Sequence, residues 1–185
     1  MFIETENTPN PDTLKFVPGR TVLEMGSANF TDAEDAARSP LALALFGLAG
    51  VAGVFLGHDF VTVSKASSAD WSDVKPLVLS ELMQFFASGT PVIAAGDVDD
   101  TSVEGAEADA DIIAQIETLL DEKIRPAIAQ DGGNIAFRGF KDGVVYVQLQ
   151  GACSGCPSAT MTLKSGIENL LKYYVPEIVD VRAVD

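Results

Sequence analysis

An acidic segment at residues 96–111 constrains the fold of this chain more than any other feature, because it can contribute little to a hydrophobic core. It carries seven acids and no base, and Val98 and Val103 are its only large apolar residues. Such a segment buries too little apolar surface to offset the entropy lost on ordering, and its like charges repel one another. The sequence therefore predicts two small domains, 1–95 and 112–185, joined by a flexible acidic linker.

The first domain alternates short strand patterns with two helix patterns, which predicts an α+β fold. Ser39-Pro40 is typical of a helix start, and this helix should run from Leu41 to about Ala49. Asp70 or Ser72 can cap a second helix, which Gly89 ends. The predicted strands lie at Phe2–Glu6, Leu14–Val17, Thr21–Met25, Val51–Leu56 and Phe60–Ser64. His58, the only histidine, should lie exposed in the hairpin turn between the last two strands.

The second domain is predicted to have the order α-β-β-α-β, with a three-stranded mixed sheet and both helices on one face. Apolar residues recur at helical spacing from Ile112 to Ala127, with Pro126 interrupting the regular bonding. Asp131-Gly132-Gly133 is predicted to break the chain after this helix, since its glycines can take positive φ. Asp142-Gly143 is a strong hairpin signal between two strands. A second helix should open at Pro157 and stop before Pro176, and a last strand follows it.

The only two cysteines, Cys153 and Cys156, form a C-x-x-C pair in a loop between a predicted strand and a predicted helix. Backbone N–H groups at a helix N-terminus favour a thiolate and can donate to sulfur, so we expect both thiols near the surface and activated. Gly151 and Gly155 would let the backbone approach a bulky ligand.

The residues that follow the cysteine pair open the predicted helix. Pro157 begins a helix without wasting an N–H donor. Ser158 and Thr160 have two alternative roles: they donate to the sulfides of a cluster, or they cap the helix.

Three chemistries fit a C-x-x-C pair. A dithiol redox centre usually follows the first strand of a thioredoxin-like βαβ unit, whereas this pair follows the second strand of a hairpin. A structural zinc site needs four ligands, and an iron–sulfur cluster with cysteine ligation needs four thiolates. One chain supplies two cysteines and one distant histidine. Either metal site would therefore have to be shared between two chains.

Composition restricts the partners and the compartment. The formal net charge of −15 argues against nucleic acid and against anionic membranes as partners. The apolar run Leu41–Leu56 is too short for a membrane-spanning helix. Two cysteines do not make a disulfide scaffold, which indicates a reducing compartment. Because a strand pattern follows Met1 directly, with no targeting pattern, we expect the bacterial cytoplasm rather than the mitochondrial matrix.

Several motifs resemble those of one protein family. The segments that resemble the C-terminal domain of the NifU family are Asp131-Gly132-Gly133-Asn134, Gly151-Ala152-Cys153-Ser154-Gly155-Cys156-Pro157-Ser158 and Val175-Pro176-Glu177. The segments that resemble the N-terminal domain of the Nfu proteins are Thr8–Phe16, Ser39–Ala42, Val54–Gly57 and Phe60–Val63. The two resemblances together span nearly the whole chain outside the acidic segment.

The resemblance implies a carrier of iron–sulfur clusters that is not an enzyme. In this family Cys153 and Cys156 would be the ligands of a [4Fe–4S] cluster held between two subunits, with [2Fe–2S] as the smaller alternative. The loaded protein would be a homodimer. Its partners would be apo iron–sulfur client proteins and upstream cluster-assembly proteins, and the N-terminal domain would recognise clients or partners. The alternative that the residues leave open is a dithiol/disulfide oxidoreductase using the same cysteines.

Overall fold

The computed structural model describes residues 2–94, 109–154 and 157–184, without the side chains of residues 157–159. The chain divides into two compact units, Met1–Asp99 and Asp100–Asp185, and each has its own β-sheet. The predicted two-domain α+β class is confirmed, as is a three-stranded mixed sheet in the second unit. The segment 96–111 lies outside the described residues except for 109–111, where a helix already begins at Ala110.

The first unit is a five-stranded antiparallel sheet with two α-helices. The strands are β1 Glu4–Asn7, β2 Thr13–Val17, β3 Ala28–Phe30, β4 Val51–Leu56 and β5 Val61–Lys65, in the order β1-β2-β5-β4-β3. The helices are α1 Pro40–Phe46 and α2 Trp71–Ser88, and a 3₁₀ turn at Asp35–Arg38 precedes α1. The buried faces of these elements form one continuous core.

Both predicted helix starts in the first unit are confirmed. The Ser39 hydroxyl accepts a hydrogen bond from the Ala42 N–H at 3.1 Å, and it donates to the Val92 carbonyl oxygen. The Asp70 carboxylate accepts from the Ser72 N–H at 2.9 Å. Helix α2 ends at Gly89, which adopts the left-handed conformation with φ of 71°. Capping and a glycine C-terminus thus fix both ends of α2 as the sequence indicates.

The strand predicted at Thr21–Met25 is wrong. The N–H groups of Val22 and Leu23 both donate to the His58 carbonyl oxygen, at 2.7 and 3.2 Å, so this segment binds a turn instead of joining a ladder. The His58 ring lies exposed, as predicted, with its Nδ1 2.8 Å from the Leu23 carbonyl oxygen. Because a carbonyl only accepts, Nδ1 carries the hydrogen. Strand β3 was not predicted, because three residues are too short to show alternation.

The second unit surrounds one core with a broken helix, a hairpin, a long helix and a short strand. The elements are α3 Ala110–Leu119, a π-helical turn Leu120–Ile124, α4 Arg125–Gln130, β6 Gly133–Lys141, β7 Val144–Gly151, α5 Pro157–Tyr174 and β8 Asp180–Ala183. The sheet order is β6-β7-β8, with β6 antiparallel and β8 parallel to β7.

The π-helical turn has a local cause. Pro126 has no N–H to donate and its ring clashes with the carbonyl four residues earlier, so regular α-helical bonding cannot continue through it. A wider π turn absorbs this defect. It also serves the core, because Ile116, Leu120, Ile124 and Ile128 are all buried at a constant spacing of four residues.

The β6–β7 hairpin places the site. Asp142 and Gly143 form its two-residue turn with φ of 53° and 77°, as the sequence predicts. The register then runs from Lys141 opposite Val144 to Gly133 opposite Gly151. The two segments that contain glycine and cysteine motifs thereby meet at the far end of the hairpin.

Candidate functional site

The chain reverses direction immediately after β7, and Cys153 lies in this turn. Gly151 has φ of 66°, a left-handed conformation that favours glycine. The Ser154 N–H and hydroxyl both donate to the Gly151 carbonyl oxygen, at 3.1 and 2.8 Å. On the other side, the Ala152 N–H donates to the Gly132 carbonyl oxygen at 3.2 Å. These bonds hold the Cys153 backbone between the ends of β6 and β7.

Helix α5 is attached to the same turn. The Thr160 hydroxyl donates to the Cys153 carbonyl oxygen at 3.2 Å. Thr160 was expected either to cap the helix or to donate to a cluster, and in this structure it instead fixes the cysteine turn to the first turn of α5. The start of this helix at Pro157 agrees with the prediction.

The Cys153 thiol is buried rather than close to the surface, so the expected surface position is wrong for this residue. The residue is 6% exposed and belongs to the core of the second unit. The space it occupies exists because residue 133 is glycine. A Cβ added at Gly133 would lie 2.6 Å from the Cys153 Sγ and 2.7 Å from the Gln150 carbonyl oxygen.

Burial also controls the protonation of this thiol. Loss of solvation raises the pKa of Cys153 from its ordinary value of 9.0 to about 11, and the negative charge of Asp131 adds to the rise. The expected activation of Cys153 by the helix N-terminus is therefore wrong, because desolvation outweighs it. Asp131 was assigned to a chain-breaking turn, and its electrostatic effect on the thiol was missed.

The remaining predicted site residues are not placed by the structure. Gly155 and Cys156 lie outside the described residues, as do the side chains of Pro157 and Ser158. Within the described ranges, no group of three or more His, Cys, Asp or Glu side chains could hold a metal ion. Over the same ranges, no helix has the length and apolar character needed to cross a membrane.

Gly133 is the site residue that sequence reasoning missed. The pair Gly132-Gly133 was interpreted as a breaker in which both glycines could take positive φ. Of the two, Gly132 does so, with φ of 78°, whereas Gly133 begins β6. A glycine at the start of a strand, opposite the cysteine loop in the hairpin register, was the available signal of close packing.

Two family models match the chain. The first is described as scaffold protein Nfu/NifU N terminal and matches residues 3–89. The second is described as NifU-like domain and matches residues 116–182. The described part of the cysteine turn and Gly133 lie within the second match.

Similar curated proteins span the whole chain. The human protein named NFU1 iron-sulfur cluster scaffold homolog, mitochondrial, is 45% identical over 185 residues, covering 100% of this chain and 72% of that protein. The Drosophila erecta protein of the same name is 48% identical, covering 100% and 65%. NifU-like protein 4, mitochondrial, of Arabidopsis thaliana is 46% identical, covering 98% and 65%. The chain therefore spans about two thirds of the length of these relatives.

These relatives correct one expectation. The bacterial cytoplasm was inferred from the residues that follow Met1, and this expectation is wrong, because all three relatives are named as mitochondrial proteins. The inference failed because the relatives contain residues beyond those matched here, so the first residues of this chain carry no information on targeting.

Proposed function

This chain belongs to the Nfu/NifU family of scaffold proteins, and we propose that it carries an iron–sulfur cluster as cargo and delivers it to apo-proteins. The relatives are named as iron–sulfur cluster scaffold proteins. The observation that carries the proposal is the Cys153 turn, held at the end of the β6–β7 hairpin in the NifU-like domain. Cys156 follows three residues later in the sequence and would be the second ligand.

Ligand counting supports a cluster shared between two copies. A cluster with cysteine ligation needs four thiolates, and this chain has two cysteines. Two chains that meet at their cysteine turns would supply four ligands to one [4Fe–4S] cluster. A cluster held at an interface can be released when the interface opens, which suits delivery rather than resident redox chemistry.

The domain arrangement is part of the same proposal. The N-terminal domain, 1–95, would engage a client or an upstream assembly protein, while the C-terminal domains, 112–185, pair around the cluster. The acidic segment 96–111 would be the flexible linker that permits both, since its like charges favour an extended chain. The broken helix formed by α3 and α4 and the helix α5 would both cover one face of the C-terminal sheet. The protein would act without catalysing a reaction.

The alternative, a dithiol oxidoreductase, requires a thiolate that attacks without help from a metal. The raised pKa of Cys153 disfavours this role, because the thiol stays protonated at neutral pH. Metal binding does not require a free thiolate in advance, since coordination displaces the thiol proton. This contrast favours the carrier over the oxidoreductase.

Anaerobic reconstitution with iron and sulfide tests the proposal. The full chain should become a brown dimer with broad visible absorption and about four iron atoms per dimer, the content of one [4Fe–4S] cluster. An iron content of about two per dimer would instead indicate a [2Fe–2S] cluster. Cys153→Ser and Cys156→Ser variants should lose the colour. A colourless monomeric wild type under these conditions would refute the proposal.

Delivery and the competing chemistries need separate measurements. Incubation of the loaded dimer with an apo-form of a [4Fe–4S] enzyme should restore that enzyme's activity, and the carrier should lose its colour in step. Disulfide reduction by the metal-free chain that needs both cysteines would favour the oxidoreductase. Zinc in protein purified without added iron, found by elemental analysis, would favour a zinc-linked dimer.

A further inference from the structure

We propose that Gly133 is a positioning residue for Cys153: its missing side chain keeps open the space in which the thiol is buried while no cluster is bound. The importance of this position for cluster loading rests on the proposed function. The packing of Gly133 against Cys153 does not depend on that function. The space beside the Gly133 Cα is called the thiol pocket below.

The geometry of the thiol pocket leaves no room for a methyl group. A Cβ on residue 133 would lie 2.6 Å from the Cys153 Sγ and 3.2 Å from the Cys153 Cβ. Contacts to Cβ below 3.0 Å essentially do not occur in proteins, so the thiol would have to move. The Gln150 carbonyl oxygen, 2.7 Å away, closes the pocket from the backbone side.

Backbone conformation does not explain this glycine. Gly132 and Gly151 have positive φ, of 78° and 66°, a conformation that favours glycine whatever surrounds it. Gly133 belongs to the extended strand β6, in the register position opposite Gly151. Any residue can adopt a strand conformation, so close packing is what requires glycine at position 133.

Burial in the thiol pocket protects the thiol and opposes loading. Because the Cys153 residue is 6% exposed and its thiol packs beside Gly133, the thiol is not accessible to an iron atom and its sulfides in this position. A Cys153 thiol that ligates a shared cluster must therefore leave the pocket, and the packing lost in that step opposes loading. The same packing shields the thiol of the metal-free chain from oxidants, since accessibility controls thiol oxidation.

Alkylation of the metal-free chain tests the packing without any iron. A Cys156→Ser background makes Cys153 the only thiol, and iodoacetamide at a fixed pH then reports its accessibility. Adding Gly133→Ala should raise the alkylation rate about tenfold, because local opening no longer limits access. Adding Gly166→Ala is the matched control in α5, where within the described part of the chain no heavy atom outside the helix backbone lies within 4 Å of the added Cβ. This control should leave the rate unchanged.

A double-mutant cycle separates the clash with the Cys153 thiol from the clash with the Gln150 carbonyl oxygen. It remains informative if Gly133→Ala is poorly folded. The fall in melting temperature caused by Gly133→Ala should be smaller in a Cys153→Ala background than in the wild type. Equal falls in both backgrounds, or an alkylation rate of folded Gly133→Ala equal to that of Gly166→Ala, would overturn the proposal.

Cluster uptake then connects the packing to function. With both cysteines present, Gly133→Ala should take up iron and sulfide faster than the wild type. Slower cluster uptake by Gly133→Ala would contradict the proposal that the thiol pocket opposes cluster loading. If neither wild type nor variant takes up a cluster, the proposed function fails while the alkylation result stands.

Discussion

The Thr160 hydroxyl donates to the Cys153 carbonyl oxygen at 3.2 Å, and this bond joins the first turn of α5 to the cysteine turn. Thr160→Val removes the donor and keeps the shape of the side chain. We expect a loss of about 1 kcal/mol in the free energy of unfolding, the usual net value of a hydrogen bond. We also expect faster loss of a bound cluster, because the ligand backbone is less well fixed. Denaturant unfolding and the decay of visible absorption measure these effects.

Thr160→Ser is the control for this prediction, since serine keeps the hydroxyl. It should restore most of the cluster lifetime lost in Thr160→Val. If Thr160→Ser lost the cluster as fast as Thr160→Val, the hydroxyl group would not be what sets the cluster lifetime, and the prediction would fail.

The raised pKa of Cys153 predicts a pH dependence of both reactivity and stability. In a metal-free Cys156→Ser chain, the alkylation rate should keep rising until the pH reaches about 11, the pKa that burial produces. The folded state holds the thiol proton more tightly than the unfolded state. The free energy of unfolding contributed by this group is therefore intact below pH 9.0 and is lost as the pH rises to about 11. A rate that levels off near pH 9.0 would show a solvated thiol.

The elements of the fold were predictable where local chemistry decides them. Ser39-Pro40, Asp70 and Gly89 mark helix ends through bonds within a few residues, and Asp142-Gly143 marks a hairpin through its allowed φ values. The segment Thr21–Met25 misled the prediction because its backbone binds the His58 carbonyl, 35 residues away. A contact of that range has no local signature, so a short, mainly apolar run after Pro18-Gly19 was interpreted as a strand.

The residue types and spacing of the candidate site were recognisable from the sequence, but the burial and the pKa of Cys153 were not. The spacing of Cys153 and Cys156 and the glycines around them predict a ligand pair from sequence, and this assignment stays a prediction. The burial of Cys153 depends on Gly133, which lies 20 residues earlier and meets the thiol only because the hairpin register aligns Gly133 with Gly151. The pKa of the thiol follows from that burial, so it could not be inferred before the register was known.

The hydrogen bond of the His58 ring predicts that substitution of this residue lowers stability in the first unit alone. Its Nδ1–H donates to the Leu23 carbonyl oxygen at 2.8 Å, while its own carbonyl accepts from Val22 and Leu23. His58→Ala removes the side-chain donor and should lower the free energy of unfolding by about 1 kcal/mol. Amide exchange at Val22 and Leu23 should become faster, because one of the contacts that hold this segment is gone.

His58→Asn is the matched control, because the asparagine amide is also a short side-chain donor. It should recover part of the protection of the Val22 and Leu23 amides. Exchange of the β6 and β7 amides should be unchanged in both variants, since those strands belong to the other unit. Faster exchange in both units would mean that the substitution acts on the whole chain and not through the Leu23 bond.

The proposed dimer predicts different outcomes at the two ends of α5. Met161 lies one residue after Thr160, which contacts the cysteine turn, and Met161 is 69% exposed. Tyr173, in the last turn, is 81% exposed and lies about 18 Å farther along the helix axis at 1.5 Å per residue. Two cysteine turns that share one cluster bring the first turns of both α5 helices together, so the partner copy should cover Met161 and leave Tyr173 exposed. Met161→Asp should weaken the cluster-loaded dimer at least tenfold, because two carboxylates would face a desolvated interface. Tyr173→Asp should leave the dimer intact. Mass measurement of the loaded protein across a dilution series checks both, and equal dimer stability in the two variants would place the interface elsewhere on the domain.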